Sequence, residues 1–275
     1  MKQLTGLDAS FLHAELPHTT MHIGPLLIYD MATAPGGFVR FKDILRVFEE
    51  RLDRSPVFRR KLANVPMSLD QPYWVEDEHF DLEFHVRHIA LPKPGDWRQM
   101  SIQCARLLTR PLDHSRPLWE AYVIKGLDNI EGLQPGCFAL LLKIHHAAID
   151  GATAAEIINS IHDLSATPNR SRKKADTWKP EAAPSNATLL WRAYLNNLKQ
   201  PLRFTAVIRK GVPAWLRVRE GEKHKQFRRL GENERTRFNA AVSAGRIYGA
   251  VNFSLADVRK VKNTVTGATV NDVVL

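Results

Sequence analysis

The 275-residue sequence is poor in cysteine and contains no long apolar run. Its two cysteines, Cys104 and Cys137, have neither metal-type nor redox-type spacing, so ordinary free thiols in a reducing cytoplasm are expected. The apolar run CFALLL (137–142) is far short of the ~20 residues that a membrane-spanning helix needs. The opening MKQLTGLDASFLHAELPHT lacks the apolar core of a secretory signal. No internal repeat is visible, and no nucleic-acid-binding motif accompanies the positive charge.

What is present is ordinary globular composition, 44% hydrophobic and 25% charged, in a length that suits one large domain or two smaller ones. The net charge of +10 is concentrated: residues 170–230 hold 16 Lys/Arg against 4 Asp/Glu, and the remainder holds 23 against 25. A basic element attached to a near-neutral, enzyme-like body follows.

The stretch MHIGPLLIYD (21–30) reads as a strand. Over 37–53, Phe41, Ile44, Leu45, Phe48 and Leu52 recur on one helical face. FDLEFHVRHIAL (80–91) alternates Leu82, Phe84 and Val86 as a strand would, and LPKPG closes it. A helix is expected over 96–110, stopped by Pro111. PLWEAYVIKGL (117–127) and CFALLLKIHHA (137–147) predict neighbouring strands joined by a turn-rich loop, and 152–165 returns to helical spacing. Residues 166–187, rich in Pro, Ser and charge, read as a linker. A short amphipathic helix over 188–200 is expected to end at Pro201. Then GRIYGAVNFSL (245–255) predicts a strand, 256–264 a helix, and Thr269 the N-cap of another. Strands and helices mixed without strict alternation indicate a layered α+β or mixed α/β architecture.

Directly after CFALLL the chain reads KIHHAAIDGAT (143–153). Histidine changes charge near neutral pH, and three readings of an adjacent pair arise. In the first, His145 and His146 are satisfied polar residues at a strand end. In the second, they ligate a metal together with Asp150. Successive strand side chains point to opposite faces, which opposes convergence on one ion while the strand persists. In the third, one histidine faces a cleft as a catalytic base while the other is anchored inward. Asp150 and Gly151 then turn the chain into the next helix, Gly151 permitting a backbone conformation costly to other residues. Arg116, preceding the neighbouring strand, is a candidate ion-pair partner for Asp150.

KIHHAAIDG carries the HHxxxDG signature of the CoA-dependent acyltransferase superfamily, and the sequence around it resembles the bacterial wax ester synthase/diacylglycerol acyltransferase branch. LDASFL (7–12), MHIG (21–24), YWVEDEHFDLEFHVRHIALPKPG (73–95), LDHSRPLWEAYVIKGL (112–127) and TVNDVVL (269–275) occur in that family's order. They span the chain apart from the basic region. The resemblance implies a chloramphenicol-acetyltransferase-like α/β fold, a mixed sheet flanked by helices. Residues 1–166 would be an N-terminal domain carrying HHxxxDG, 167–235 a basic crossover, and 236–275 the beginning of a C-terminal domain. Family members continue past the Asn-Asp motif, so the rest of that domain is an expected partner.

The implied reaction moves a fatty acyl group from acyl-CoA, a co-substrate, to the hydroxyl of diacylglycerol or a long-chain alcohol, with no cofactor and no metal. His146 would be the general base, with His145, Asp150 and Gly151 shaping its turn. Pro117, Leu118 and Trp119 would serve the acyl-CoA side or the integrity of the site. Asn271 and Asp272 would lie near a domain interface, Asn271 as a contributor to oxyanion stabilisation. A ternary complex rather than an acyl-enzyme is expected. The alternatives are a carrier-bound acyl donor, another alcohol, or a non-catalytic fragment that binds lipid surfaces. Trp178, Trp191 and Trp215 lie among Lys and Arg, a composition suited to anionic lipid, so peripheral association with a membrane or lipid inclusion is expected. A solvated loop is the competing reading of 168–187.

Overall fold

A computed structural model describes residues 1–149, 151–163, 165, 178–224 and 242–274; the side chains of 151–154 and 202–203 lie outside the description. The chain opens with β1 (Lys2–Gln3) and α1 (Gly6–Ala14), then β2 (His22–Ile23), β3 (Leu26–Tyr29), α2 (Phe41–Glu49), β4 (Arg60–Ala63) and β5 (Tyr73–Glu76). A single turn, α3 (Leu82–His85), leads into β6 (Val86–Ala90), α4 (Trp97–Thr109), β7 (Trp119–Lys125) and β8 (Phe138–His145). After a 3-10 turn at His146–Ala148 come α5 (Gly151–Ser160), α6 (Asn186–Lys223), α7 (Leu255–Lys262) and α8 (Val270–Val274).

Every residue of β8 is buried, because both faces of this strand are covered. Strand alternation sends Phe138, Leu140, Leu142 and Ile144 to one side, where they meet Phe48 of α2, Trp119 of β7 and Ile157 of α5. Ala139 and Leu141 point the other way, onto Met100, Cys104 and Leu107 of α4. β8 is the spine of a five-stranded mixed sheet: β2 and β3 pair antiparallel along one edge, β7 antiparallel along the other, and β6 parallel to β7. The expected layered α/β architecture is therefore present, with α2 and α5 on one face and α4 on the other.

Local chemistry sets these elements. Asp96 accepts the Gln99 N–H while the Gln99 side chain reaches back to the Asp96 N–H, a capping box that starts α4. Gly95 has φ +72°, and a Cβ there would lie 2.1 Å from the Gly126 carbonyl oxygen, so the turn before α4 meets the end of β7 only as glycine. Trp119 is fully buried; its indole N–H donates to the Phe58 carbonyl at 3.0 Å, and its ring stacks on His85 at 4.7 Å.

A second, antiparallel sheet runs β1-β5-β4. Leu189 and Ala193 at the start of α6 pack on its Tyr73 and Val75. The Asn196 amide then pins the helix by donating to Asp70 (2.7 Å), Gln3 (3.1 Å) and the Tyr73 hydroxyl oxygen (3.2 Å).

Four sequence expectations need correction. The strand expected at 21–30 is interrupted between β2 and β3 at Gly24–Pro25, where proline offers no N–H to the ladder. The strand expected over 80–91 begins only at Val86, because the Asp81 side chain accepts the Glu83 N–H and starts α3 instead. The helix expected to stop at Pro201 continues through Pro201 and Pro213 to Lys223. The carbonyls that those prolines leave without intrahelical donors belong to Asn197 and Arg209, both exposed, where water can serve them. The strand expected at 245–255 is irregular as far as Ser254, which caps α7; among the described residues no strand lies beside it to complete a ladder. Part of the expected linker, residues 166–177, lies outside the described residues. Among the described residues no helix is long and apolar enough to cross a membrane.

Trp119→Ala is expected to lower the unfolding free energy by about 3–5 kcal/mol through cavity formation, with the Phe58 carbonyl left unpaired in addition. Urea denaturation checks this, and a loss below about 1 kcal/mol would show that the core does not depend on the indole.

Candidate active site

β8 ends where the histidine pair begins. His145 is the last strand residue, fully buried, opposite His22 of β2, and its N–H donates to the Leu118 carbonyl at 3.0 Å. His146 opens the 3-10 turn; its N–H donates to the Met21 carbonyl at 2.8 Å. The His146 ring is half-buried and stacks on Phe11 of α1, with centroids 5.0 Å apart and planes 19° from parallel. One histidine therefore goes inward and the other outward.

The tautomer of His145 follows from its neighbours. Its Nδ1 accepts the Ala147 N–H at 3.0 Å, and a ring nitrogen that accepts carries no proton. The proton of the neutral ring thus sits on Nε2, which makes no hydrogen bond and faces Glu15 Oε2 at 3.6 Å, beyond hydrogen-bond reach. Burial pushes the His145 pKa down to about 4; the Glu15 carboxylate opposes that shift, and His114 and His22 add to it. His145 is neutral near pH 7.

Sequence reasoning missed the group that surrounds this ring. Glu15, at the C-cap of α1, has a side chain only 10% exposed. Its Oε1 accepts the Met21 N–H at 3.1 Å, and its Oε2 lies 2.8 Å from His114 Nε2. Glu15, His114 and His145 offer ligand atoms all within 4.8 Å of one another, a metal-like arrangement. The donor chemistry opposes a cation there: coordination by Nε2 would move the ring proton to Nδ1, where it would oppose the Ala147 N–H, donor against donor. No local spacing in the sequence signals the group, since Glu15, His114 and His145 lie up to 130 positions apart.

Around the same end of the sheet, polar groups replace apolar ones. His22 Nε2 donates to the Leu108 carbonyl at 2.9 Å, and burial, aided by Lys143, brings its pKa down to about 4. Lys143 is fully buried; its ammonium donates to the Arg110 carbonyl (2.8 Å) and to Glu120 (3.3 Å), while burial lowers its pKa. Tyr122 donates to the same Glu120 carboxylate at 2.7 Å.

The remaining sequence candidates are dispersed. Pro117, Leu118 and Trp119 are all buried and support the histidines from behind, Leu118 by accepting the His145 N–H and Trp119 by filling the core. Gly151 opens α5, and Asp150 lies outside the described residues. Arg116 is engaged locally, 3.4 Å from Asp113 and 3.9 Å above the Phe84 ring. Asn271 and Asp272 are exposed on α8, which packs against α7, and neither joins the histidine cluster. Asp272 accepts from the Thr269 N–H and hydroxyl, bonds that hold its carboxyl below the usual range. A cleft of about 210 Å³ opens beside the histidine turn, lined by Ala147, Ala148 and Ile149 together with Lys2, Arg60 and Trp74.

The depressed pKa values of His22 and His145 predict a direction for acid stability. Between the ordinary histidine value of 6.5 and about 4, the unfolded chain binds protons at these rings that the folded chain does not. Stability therefore falls as pH drops through that window, and a thermal-unfolding series from pH 7.5 to about 4 should show it. His22→Gln should flatten the slope; an equally steep slope in that variant would remove His22 from the account.

The model of the wax ester synthase/diacylglycerol acyltransferase catalytic domain matches residues 4–274. A Mycobacterium tuberculosis protein named "Probable diacyglycerol O-acyltransferase tgs3" is 35% identical over 269 residues, which cover 94% of this chain and 95% of that protein. A second protein of that species, provisionally named for the same activity, is 32% identical over 284 residues, and the chain spans 53% of its length. The solved wax ester synthase/diacylglycerol acyltransferase from Marinobacter aquaeolei VT8 aligns at 32% identity and TM-score 0.46, covering 57% of this chain and 37% of that one. The chain belongs to the wax ester synthase/diacylglycerol acyltransferase family.

Proposed function

We propose that this chain carries the base of an O-acyltransferase that moves a fatty acyl group from acyl-CoA to the hydroxyl of diacylglycerol or a long-chain alcohol. The observation that carries the reading is His146, half-buried at the strand end and held by backbone and ring contacts, in a chain of this family; the residues that follow it, Ala147 to Ile149, line a cleft.

An alcohol hydroxyl has a pKa far above that of histidine, so His146 takes the proton as the alcohol oxygen bonds to the thioester carbon. The tetrahedral intermediate collapses with cleavage of the C–S bond, and His146 returns the proton to the departing CoA thiolate. The acyl donor brings its own leaving group, and the proposed steps draw on no resident cofactor. His145, neutral with its tautomer fixed, does not compete for the transferred proton. The stack on Phe11 limits the orientations open to the His146 ring, which is how a positioned base gains over a free one. Pro117, Leu118 and Trp119 shape the site through the backbone and core, and Asn271 and Asp272 are given no step.

The same reading treats residues 1–166 as the base-bearing domain, 167–235 as the basic crossover and 236–275 as the start of a second domain. It places the protein peripherally on a cytoplasmic membrane face or lipid inclusion. Support comes from α6, where Trp191 beside Arg192 is 61% exposed and Trp215 among Arg209, Lys210, Arg217 and Arg219 is 54% exposed. Trp178 does not share that role, since it is half-buried under the Arg59 guanidinium at 4.3 Å. Arg172, Lys173 and Lys174 lie outside the described residues.

His146→Ala should lower turnover of acyl-CoA with a long-chain alcohol or diacylglycerol by about 10²–10⁴-fold while leaving the circular dichroism spectrum unchanged. Near-parental turnover would remove His146 as the base, and no turnover by the parent with either acceptor would overturn the activity.

For the lipid surface, each basic residue near an anionic membrane contributes about 1 kcal/mol. Reversing Arg209, Lys210, Arg217 and Arg219 to Glu should therefore weaken co-sedimentation with phosphatidylserine-containing vesicles by more than about a hundredfold at low salt. Equal sedimentation of the parent and reversed proteins would mean that these charges are only solvated.

A further inference from the structure

Helix α1 and the cap residue that follows it reach the histidine pair through Phe11, within the helix, and Glu15, its C-cap. Phe11 supplies the ring on which His146 stacks. Glu15 supplies a hydrogen-bond chain to the backbone of the same residue: its Oε1 accepts the Met21 N–H at 3.1 Å, and the Met21 carbonyl accepts the His146 N–H at 2.8 Å. The other oxygen, Oε2, lies 2.8 Å from His114 Nε2 and faces the buried His145 Nε2–H at 3.6 Å.

The geometry points to Glu15 as a positioning residue for the base: its carboxylate latches the Met21 backbone that fixes where His146 leaves the strand, and presents its second oxygen to the His114–His145 pair. The inference rests on the acyl-transfer reading for its catalytic consequence, and on geometry alone for the latch.

Three features distinguish this carboxylate from a surface acid. Its side chain is only 10% exposed, so each of its oxygens is aimed into protein. It bridges separate parts of the chain, the end of α1, the lead into β2, and the loop that carries His114 ahead of β7. Its charge also suits the rings it faces. His145 presents a donor, and the negative oxygen favours the Nε2–H tautomer that the Ala147 N–H demands on the other side of the ring. A group of reversed polarity at this place would present a donor to a donor. Without the latch, the Met21 N–H would lose its partner, and the residue whose carbonyl holds the His146 N–H would be tied to β8 from the strand side alone. A base displaced by about an ångström loses on the order of a hundredfold in rate, because the proton and the attacking oxygen no longer align.

Two variants separate the parts of this role. Glu15→Gln retains an acceptor for the Met21 N–H but turns an amide N–H₂ toward His145 and His114. Glu15→Ala removes both contacts. The expected order of kcat is parent, then Glu15→Gln, then Glu15→Ala, with Glu15→Ala down by about ten- to a hundredfold and the KM for acyl-CoA changed by less than about threefold. Amide hydrogen exchange reads the latch independently of turnover. The Met21 and His146 amides should be protected in the parent, still protected in Glu15→Gln, and fast in Glu15→Ala, with the β7–β8 amides unchanged. Parental kcat in Glu15→Ala, or parental protection of its Met21 and His146 amides, would overturn the proposal. Should Glu15→Ala fail to fold, the parent and Glu15→Gln decide it. Fast exchange of either amide in the parent, or kcat in Glu15→Gln equal to the parent, would overturn it. A parent that lacks acyl transfer but shows the protected pair would sink the functional reading and leave the latch standing.

Discussion

Burial of β8 on both faces is the constraint from which the rest of this molecule follows. A strand covered on both sides cannot shift its register by one residue without exchanging every side chain between two different cores. Phe138 to Ile144 therefore lock onto Trp119, Phe48 and Ile157 on one side and onto α4 on the other. The strand delivers His145 inward as its last residue, and the next residue, at the first position of a turn, escapes the alternation. The histidine pair is split by this geometry before any catalytic consideration enters.

The interior around that split pair is polar, and its satisfaction is uneven. Lys143, Glu120 and Tyr122 pair with one another and with the Arg110 carbonyl. His145 Nε2 and His22 Nδ1 are left without hydrogen bonds. A buried nitrogen without a partner costs stability, and His85 Nε2, whose ring stacks on Trp119, carries the same cost. Burial keeps the His145 and His22 rings neutral, so the outward His146 stands beside uncharged imidazoles and a carboxylate that is tied to the backbone.

The long helix obeys a different physics. Its first turns are docked by Leu189, Ala193 and Asn196 against the smaller sheet, whereas residues such as Phe204, Val207 and Trp215 are exposed along its later turns. Apolar and cationic residues exposed together on a helix are the composition on which the proposed contact with anionic lipid rests. The basic excess seen in the composition is thus carried in part by an element separate in contacts from the histidine turn.

The sequence by itself determined the local elements whose causes are local. The helix over 97–109, the apolar strands at 119–125 and 138–145 and the HHxxxDG signature were all legible, because a proline stop, apolar runs and a fixed motif are written within a few residues of each other. Tertiary structure decided what depends on distant partners. The irregular course of 245–254 reflects the lack of a neighbouring strand among the described residues, which no alternation within the segment reveals. The passage of α6 through Pro201 depends on a docked start and on solvent around the freed carbonyl. Glu15, His114 and His145 are separated by up to 130 positions, and their meeting is set by how α1 and the loop before β7 pack against the end of β8. A carboxylate at a helix end looks in sequence like a solvated surface charge; only burial turned it into a partner of the histidines.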